Sequence, residues 1–237
     1  MCGRYVSPEE AAIEREFNLL HTEWRFPPSF NVAPTQEVPI VRIRDGRRQG
    51  VRLRWGLIPY FAKGVPPKYS TINARIETVQ TAASYRGPWS RGQRCLVAAR
   101  GFYEWQTQAD GKTRVPYYIH LNDQEIFAFA GLWDSSRSDQ GDWIESCTHL
   151  TLPANRLLAE IHNTQRRMPA ILAREDREAW LEGTPEEAWA VLKPYPDEHM
   201  VAWPVGTRVN KPANDDEALI EPVNGAGEHR SPLSSKS

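Results

Sequence analysis

The amino-acid sequence predicts an α+β fold with a largely antiparallel core. Three features of the chain point to it. Several separate stretches alternate apolar and polar residues with period two, and others show the 3.6-residue spacing of amphipathic helices. The two kinds interleave, but without the strict strand–helix–strand order that a doubly wound parallel sheet requires.

Taken in order, Ser7-Pro8-Glu9-Glu10 combines an N-cap hydroxyl, a proline suited to the first helical position and a capping-box glutamate. A helix is predicted there, with Ile13, Phe17 and Leu20 as its buried stripe. From Val38 the period changes to two. Ile40 alternates with Arg42 and Arg44, Asp45-Gly46 supplies a turn, and Val51, Leu53 and Trp55 continue on the return strand. Further strands are predicted over residues 95–99, 117–121, 126–132, 148–152 and 200–205, with Asn122-Asp123 as the turn of a second hairpin. Helices are predicted over 155–161 and 175–181, the latter stopped by Gly183. Thr184-Pro185-Glu186-Glu187 repeats the cap, proline and glutamate signature for one more short helix. Residues 1–222 read as a single domain. Residues 223–237, rich in Gly, Ser and charge, read as a disordered tail.

With 237 residues and 40% hydrophobic content, the chain can bury a sizeable core. No apolar run is long enough for a bilayer, and an acidic amphipathic stretch stands where a signal peptide would be apolar. No membrane association is expected. Cys2, Cys95 and Cys147 are odd in number and widely spaced, which suggests neither a disulfide framework nor a zinc site. The expected location is therefore reducing and cytoplasmic, beside the nucleoid if the chain is bacterial. The net charge of -1 hides an asymmetry: residues 1–105 hold 16 Lys+Arg against 9 Asp+Glu, and the remainder 13 against 21. Arginines dominate the basic half, including Arg42, Arg44, Arg47, Arg48, Arg52 and Arg54. Guanidinium suits bidentate phosphate contact, although a solvated hairpin face would show the same pattern.

Chemistry-bearing residues stand out at a few places. Cys2 follows the initiator, so loss of Met1 would leave a free α-amine and a thiol on adjacent carbons. They titrate near ~8 and ~8.5, and both are partly available as nucleophiles at neutral pH. Such a 1,2-aminothiol condenses with an aldehyde to an imine, and its sulfur can then close a thiazolidine. Gly101-Phe102-Tyr103-Glu104-Trp105 places one carboxylate among aromatics, with Phe102 and Glu104 on one face and Tyr103 and Trp105 on the other. Desolvation should raise the pKa of such a glutamate, unless it reaches water at a strand end. Asn73 and Arg75, two residues apart, share a face of any extended segment. The amide can orient a neighbour and the guanidinium can hold phosphate. His162 falls at a predicted helix end, where it can be acid, base, phosphate partner or simple cap, and His149 competes for the same role. Nine tryptophans are mostly core, though some can stack on bases.

Read together, these segments resemble the SOS response-associated peptidase family. The carriers, in order, are Met1-Cys2-Gly3-Arg4-Tyr5, Asn31-Val32-Ala33-Pro34-Thr35-Gln36, Trp55-Gly56-Leu57-Ile58-Pro59 and Asn73-Ala74-Arg75. Then come Arg94-Cys95-Leu96, Gly101-Phe102-Tyr103-Glu104-Trp105, Ala130-Gly131-Leu132-Trp133, Ile161-His162 and Arg167-Met168-Pro169.

The resemblance implies a strongly twisted, β-barrel-like core flanked by helices. It also implies a covalent sensor of abasic sites in single-stranded DNA, monomeric and needing no cofactor or metal. On that basis Cys2, Asn73, Glu104 and His162 are the expected catalytic residues. Cys2 would be nucleophile, Asn73 orienter, Glu104 proton shuttle and His162 the aid to sugar ring opening. Arg4 and Arg75 would hold phosphates, with Asn31, Trp55 and Thr151 as further DNA contacts. The implied peptidase activity would remove Met1 or act in releasing the adduct. One departure is the longer loop 163–166 between His162 and Arg167-Met168-Pro169. Two other readings stay open from the residues themselves: an N-terminal-nucleophile cysteine amidohydrolase, and a nucleic-acid-binding module without chemistry.

Overall fold

The computed structural model describes residues 2–19, 24–223 and 229–230. Met1, the stripe residue Leu20 and most of the predicted tail lie outside them. In chain order the elements are β1 (Arg4–Ser7), α1 (Glu10–Glu16), β2 (Ser29–Val32), β3 (Glu37–Arg44), β4 (Arg47–Trp55), β5 (Asn73–Arg75), α2 (Arg86–Ser90), β6 (Arg94–Ala99), β7 (Gly101–Thr107) and β8 (Arg114–Leu121). They continue with β9 (Phe127–Arg137), β10 (Trp143–Pro153), α3 (Arg156–Ile161), β11 (Arg167–Pro169), β12 (Ile171–Leu172), α4 (Arg177–Glu182), α5 (Pro185–Ala190), β13 (Met200–Pro204) and β14 (His229–Arg230).

Five strands close into a barrel in the order β10-β4-β3-β6-β9, with β9 pairing back onto β10. Closure removes the free sheet edges that would otherwise expose unpaired amides. The β3–β4 hairpin starts it as the alternation predicts. Asp45 and Gly46 both have positive φ (53° and 69°), which matches the twist of the flanking strands and sets Arg44 opposite Arg47. The long β10 also pairs in parallel with β4 and β5, and antiparallel with β11.

The second sheet runs β14-β13-β8-β7-β1-β2. A single residue, Arg100, separates β6 in the barrel from β7 in this sheet. Gly101 at the crossing lies so close to the Tyr118 ring that a Cβ would sit 2.4 Å from it. The predicted alternation in β7 holds: Phe102 joins the main core, while Tyr103 joins a smaller one with Val6, Tyr118, Val205, Val209 and Leu219. Each large apolar side chain so buried contributes roughly 1.5–3 kcal/mol.

Two local expectations are corrected. Ser7 caps no helix. It ends β1, paired with Ser29, and α1 starts at Glu10 with Glu9 at the N-cap and no side-chain cap bond. Asn122-Asp123 turns no hairpin, because the strands it joins part company. Strand β8 pairs with β7 and β13, and β9 with β6, β10 and β12.

Three arginines of the basic hairpin, Arg42, Arg44 and Arg48, are matched by acids of the other half, and Arg52 by Glu37 of its own hairpin. The buried Arg42 guanidinium bonds both oxygens of Glu145 (3.0 and 2.9 Å) and lies 4.2 Å over the Trp133 ring. Arg44 shares Glu145, and Arg48 pairs with Glu178.

Candidate active site

Cys2 immediately precedes Gly3 and β1, and its side chain is buried. Strand β1 is clamped against β7, with Arg4 opposite Tyr103 and Tyr5 opposite Phe102. That register brings the start of the chain to Glu104. Burial, and next the charge of Glu104, push the Cys2 thiol well above its ordinary pKa. A free thiolate is thus disfavoured, and the sulfur becomes a strong nucleophile only as a base removes its proton.

Asn73 arrives from the barrel side. Strand β5 lies parallel to β10, Asn73 opposite His149, and the Asn73 Nδ2 donates to the Cys2 carbonyl at 2.9 Å. Its own strand is fixed by three donors. The Tyr85 hydroxyl bonds Asn73 O (3.2 Å), while Trp55 Nε1 (2.9 Å) and the His149 amide (3.1 Å) bond Ile72 O.

Glu104 is 2% exposed, and burial raises its carboxyl pKa to about 7. The expected desolvation is therefore present, and the strand-end alternative is not. At neutral pH such a group is about equally acid and base, which suits a step that needs both.

His162 closes the group as the C-cap residue of α3, whose N-cap Asn155 accepts from Leu158 N at 2.9 Å. His162 Nδ1 lies 3.8 Å from Glu104 Oε1 and 3.0 Å from the Arg167 carbonyl. A carbonyl only accepts, so Nδ1 carries the hydrogen and Nε2 is the basic nitrogen of the neutral ring. Burial lowers the pKa of this ring and favours that neutral form. His149 differs in kind. It is fully buried, stacked on Trp55 at 4.6 Å, and driven down to about 3 by desolvation.

Sequence reasoning did not find the groups that hold this constellation. The Arg167 guanidinium forks onto both oxygens of Glu77 and donates to Thr151 O (2.6 Å) and Thr151 Oγ1 (3.2 Å). It ties the β5 end to the residue whose carbonyl orients His162. The hydrogen bond from Arg167, first among several causes, lowers the Glu77 pKa. The opposite charges two residues apart at Arg75 and Glu77 were the available signal. Tyr85 had none.

The expected DNA contacts divide. Arg75 is exposed on β5. Arg4 is half-buried, donating to Asn31 Oδ1 (2.9 Å), Val209 O (2.7 Å) and Asn210 O (3.3 Å). Asn31, Trp55 and Thr151 are buried and face protein: Asn31 bonds the carbonyls of Lys211 and Asn214, and Trp55 stacks inside the barrel.

The family model described as "SOS response associated peptidase (SRAP)" matches residues 1–212. The abasic site processing protein YoqW of Bacillus subtilis (strain 168) is 38% identical over 93% of this chain and 99% of its own length. The abasic site processing protein HMCES of Gallus gallus is 30% identical over 94% of this chain and 78% of its own. Among solved structures, a protein from Bacteroides thetaiotaomicron superposes with a TM-score of 0.81 at 26% identity, covering 94% of this chain and 99% of that one. Among the described residues, no helix is long and apolar enough to cross a membrane.

Proposed function

The chain belongs to the SOS response associated peptidase family, and from that premise we propose that it processes abasic sites in DNA by capturing them covalently. Met1 is removed, and Cys2 becomes a 1,2-aminothiol. The ring-opened abasic sugar offers an aldehyde at C1′. The Cys2 amine adds to it, giving a carbinolamine. Glu104, protonated, delivers its proton to the hydroxyl, which leaves as water and yields the protonated imine, an iminium ion. Glu104, now carboxylate, takes the thiol proton as sulfur bonds the iminium carbon, which leaves the ring nitrogen neutral with its one hydrogen and Glu104 protonated again. The product is a thiazolidine, formed with net loss of one water. Neutral His162, through Nε2, assists opening of the sugar by accepting the proton of its anomeric hydroxyl. Asn73 holds the Cys2 backbone so that the amine and sulfur face one way.

The observation that supports this reading best is the buried Glu104, which lies 3.8 Å from His162 Nδ1 and whose charge, next after burial, raises the Cys2 thiol pKa, while burial lifts its own to about 7. An acid–base of that strength is what imine formation and ring closure both need. Arg75 contacts phosphate from the surface. Arg4, Asn31, Trp55 and Thr151 act from beneath, holding the floor on which the strand lies.

A denaturing gel tests the proposal. Purified protein is expected to shift a single-stranded oligonucleotide bearing an abasic site to a band that survives heat and SDS, and to leave an undamaged one unshifted. Salt-sensitive binding without a covalent band would favour a plain binding module. Hydrolysis of glutamine or another amide, with no adduct, would favour an N-terminal-nucleophile amidohydrolase.

A further inference from the structure

The longer loop that follows His162 makes one specific attachment. Asn163 bonds both backbone groups of Thr107, accepting from its amide at 3.1 Å and donating to its carbonyl at 2.8 Å. A side-chain amide joined in this way stands where the peptide of a neighbouring strand would. The place is open for it. Strand β1 begins at Arg4, opposite Tyr103, and among the described residues no strand pairs with that side of β7 past Tyr103. The amides and carbonyls of such an edge are left for other groups to cover. Between the two, the Trp105 amide bonds the Glu104 carboxylate.

A further bond lies alongside. Gln106 Nε2 donates to Glu160 O in α3 at 3.2 Å, and Gln106 Oε1 is itself held by Gln108 Nε2 at 3.1 Å. The loop closes behind Asn163, where the Arg166 amide donates to His162 O at 2.8 Å. The end of α3 is thus fastened to β7 on either side of His162, through Glu160 and Asn163. Both attachments lie on the strand that carries Glu104, at Gln106 and Thr107. The Arg167 carbonyl fixes the tautomer and tilt of the imidazole. How far His162 stands from Glu104, 3.8 Å between Nδ1 and Oε1, depends on how the end of α3 seats on β7.

We propose that Asn163 is a positioning residue for His162: it seats the end of α3 on β7 and so holds the imidazole within reach of the sugar that Cys2 and Glu104 convert. Its role rests on the reading of the site given above. A displaced His162 keeps its basic Nε2 but meets the anomeric hydroxyl at the wrong distance, and a misplacement of about 1 Å can cost a factor of ~100 in rate. The imine and thiazolidine steps run on Cys2 and Glu104 and do not pass through His162. Loss of Asn163 therefore slows the opening of the sugar and spares the capture of an aldehyde that is already open.

The test compares two single-turnover rates of the full chain, one on an abasic single-stranded oligonucleotide and one on propanal, which has no ring to open. Asn163 is exposed, so water can take its place on Thr107 and the alanine variant should fold with an unchanged melting temperature. Asn163→Ala should slow the oligonucleotide reaction on the order of tenfold and the propanal reaction far less. Asn163→Asp, which still accepts from the Thr107 amide, should fall between alanine and wild type. Thr164→Ala, at the next position of the loop, should keep wild-type rates. In a His162→Ala background, Asn163→Ala should slow the oligonucleotide reaction no further. A wild-type oligonucleotide rate in Asn163→Ala would overturn the proposal and leave the reading of the site standing. Equal slowing with propanal, or the same slowing with and without His162, would also overturn it, because either would mean a general loosening. Wild-type protein that forms no adduct would remove the reading itself, and the role of Asn163 with it.

Discussion

Glu104 and His149 titrate in opposite directions from their ordinary values for one reason, that burial disfavours the charged form. The Glu104 carboxyl moves from 4.5 to about 7, so between those values the native state keeps a proton that the unfolded chain has lost. Stability therefore falls as pH rises through that window, by about 3 kcal/mol in all. His149 moves from 6.5 to about 3, so here the unfolded chain takes up a proton that the native state refuses. Its contribution is lost as pH falls below 6.5, and between pH 4.5 and 6.5 the two slopes oppose each other. Single substitutions separate them. Denaturant unfolding should find Glu104→Gln more stable than wild type at pH 8 by about 3 kcal/mol, a gain that disappears near pH 4. The same variant should form adduct more slowly. A stability difference that does not vary with pH would contradict a buried, proton-holding Glu104.

At the scale of elements, the helix that ends at His162 depends on Asn155. Its Oδ1 caps α3, and its Nδ2 donates to Tyr195 O at 2.7 Å. Asn155→Ala should cost about 1–2 kcal/mol and slow adduct formation, since His162 shifts with the helix. Thr184→Ala, which removes the capping box of α5, should cost about 1 kcal/mol and leave the adduct rate alone. Thermal melts and single-turnover rates on the two variants check this; equal rate losses would mean that α3 has no special hold on the site. The Thr184 cap was legible in the chain because capping chemistry is local, whereas Asn155 read as the first residue of its helix and not as the cap it is. The β3–β4 hairpin, whose turn and alternation lie within 20 residues, was legible for the same reason as Thr184. Ser7 misled because its signature is equally a strand end, and the pairing with Ser29 that decides the matter is remote. Asn122-Asp123 misled because consecutive strands usually pair, whereas β8 takes β13 as its neighbour, with Met200 opposite Leu121.

For the molecule as a whole, the site exists only because two sheets meet. Cys2 and Glu104 belong to the open sheet and its leading residues, Asn73 to the barrel side, and His162 to the helix that follows β10. Their types and motifs could be picked out along the chain, as could the barrel-like core that the resemblance implied. The Glu77–Arg167 fork and the Tyr85 hydroxyl on Asn73 O could not, since each joins segments that become neighbours only on folding. Nor could the burial of Asn31, Trp55 and Thr151, because an amide, an indole or a hydroxyl suits a floor as well as a surface. What unites these parts is a claim about Cys2: its amine and sulfur act together, once Met1 has left. Intact mass of the purified protein, alone and after exposure to abasic single-stranded DNA, tests that most directly. The expected masses are the chain without Met1, and the same chain plus the oligonucleotide less one water. An adduct on protein that retains Met1, or a Met1-free protein that gains no mass, would contradict it.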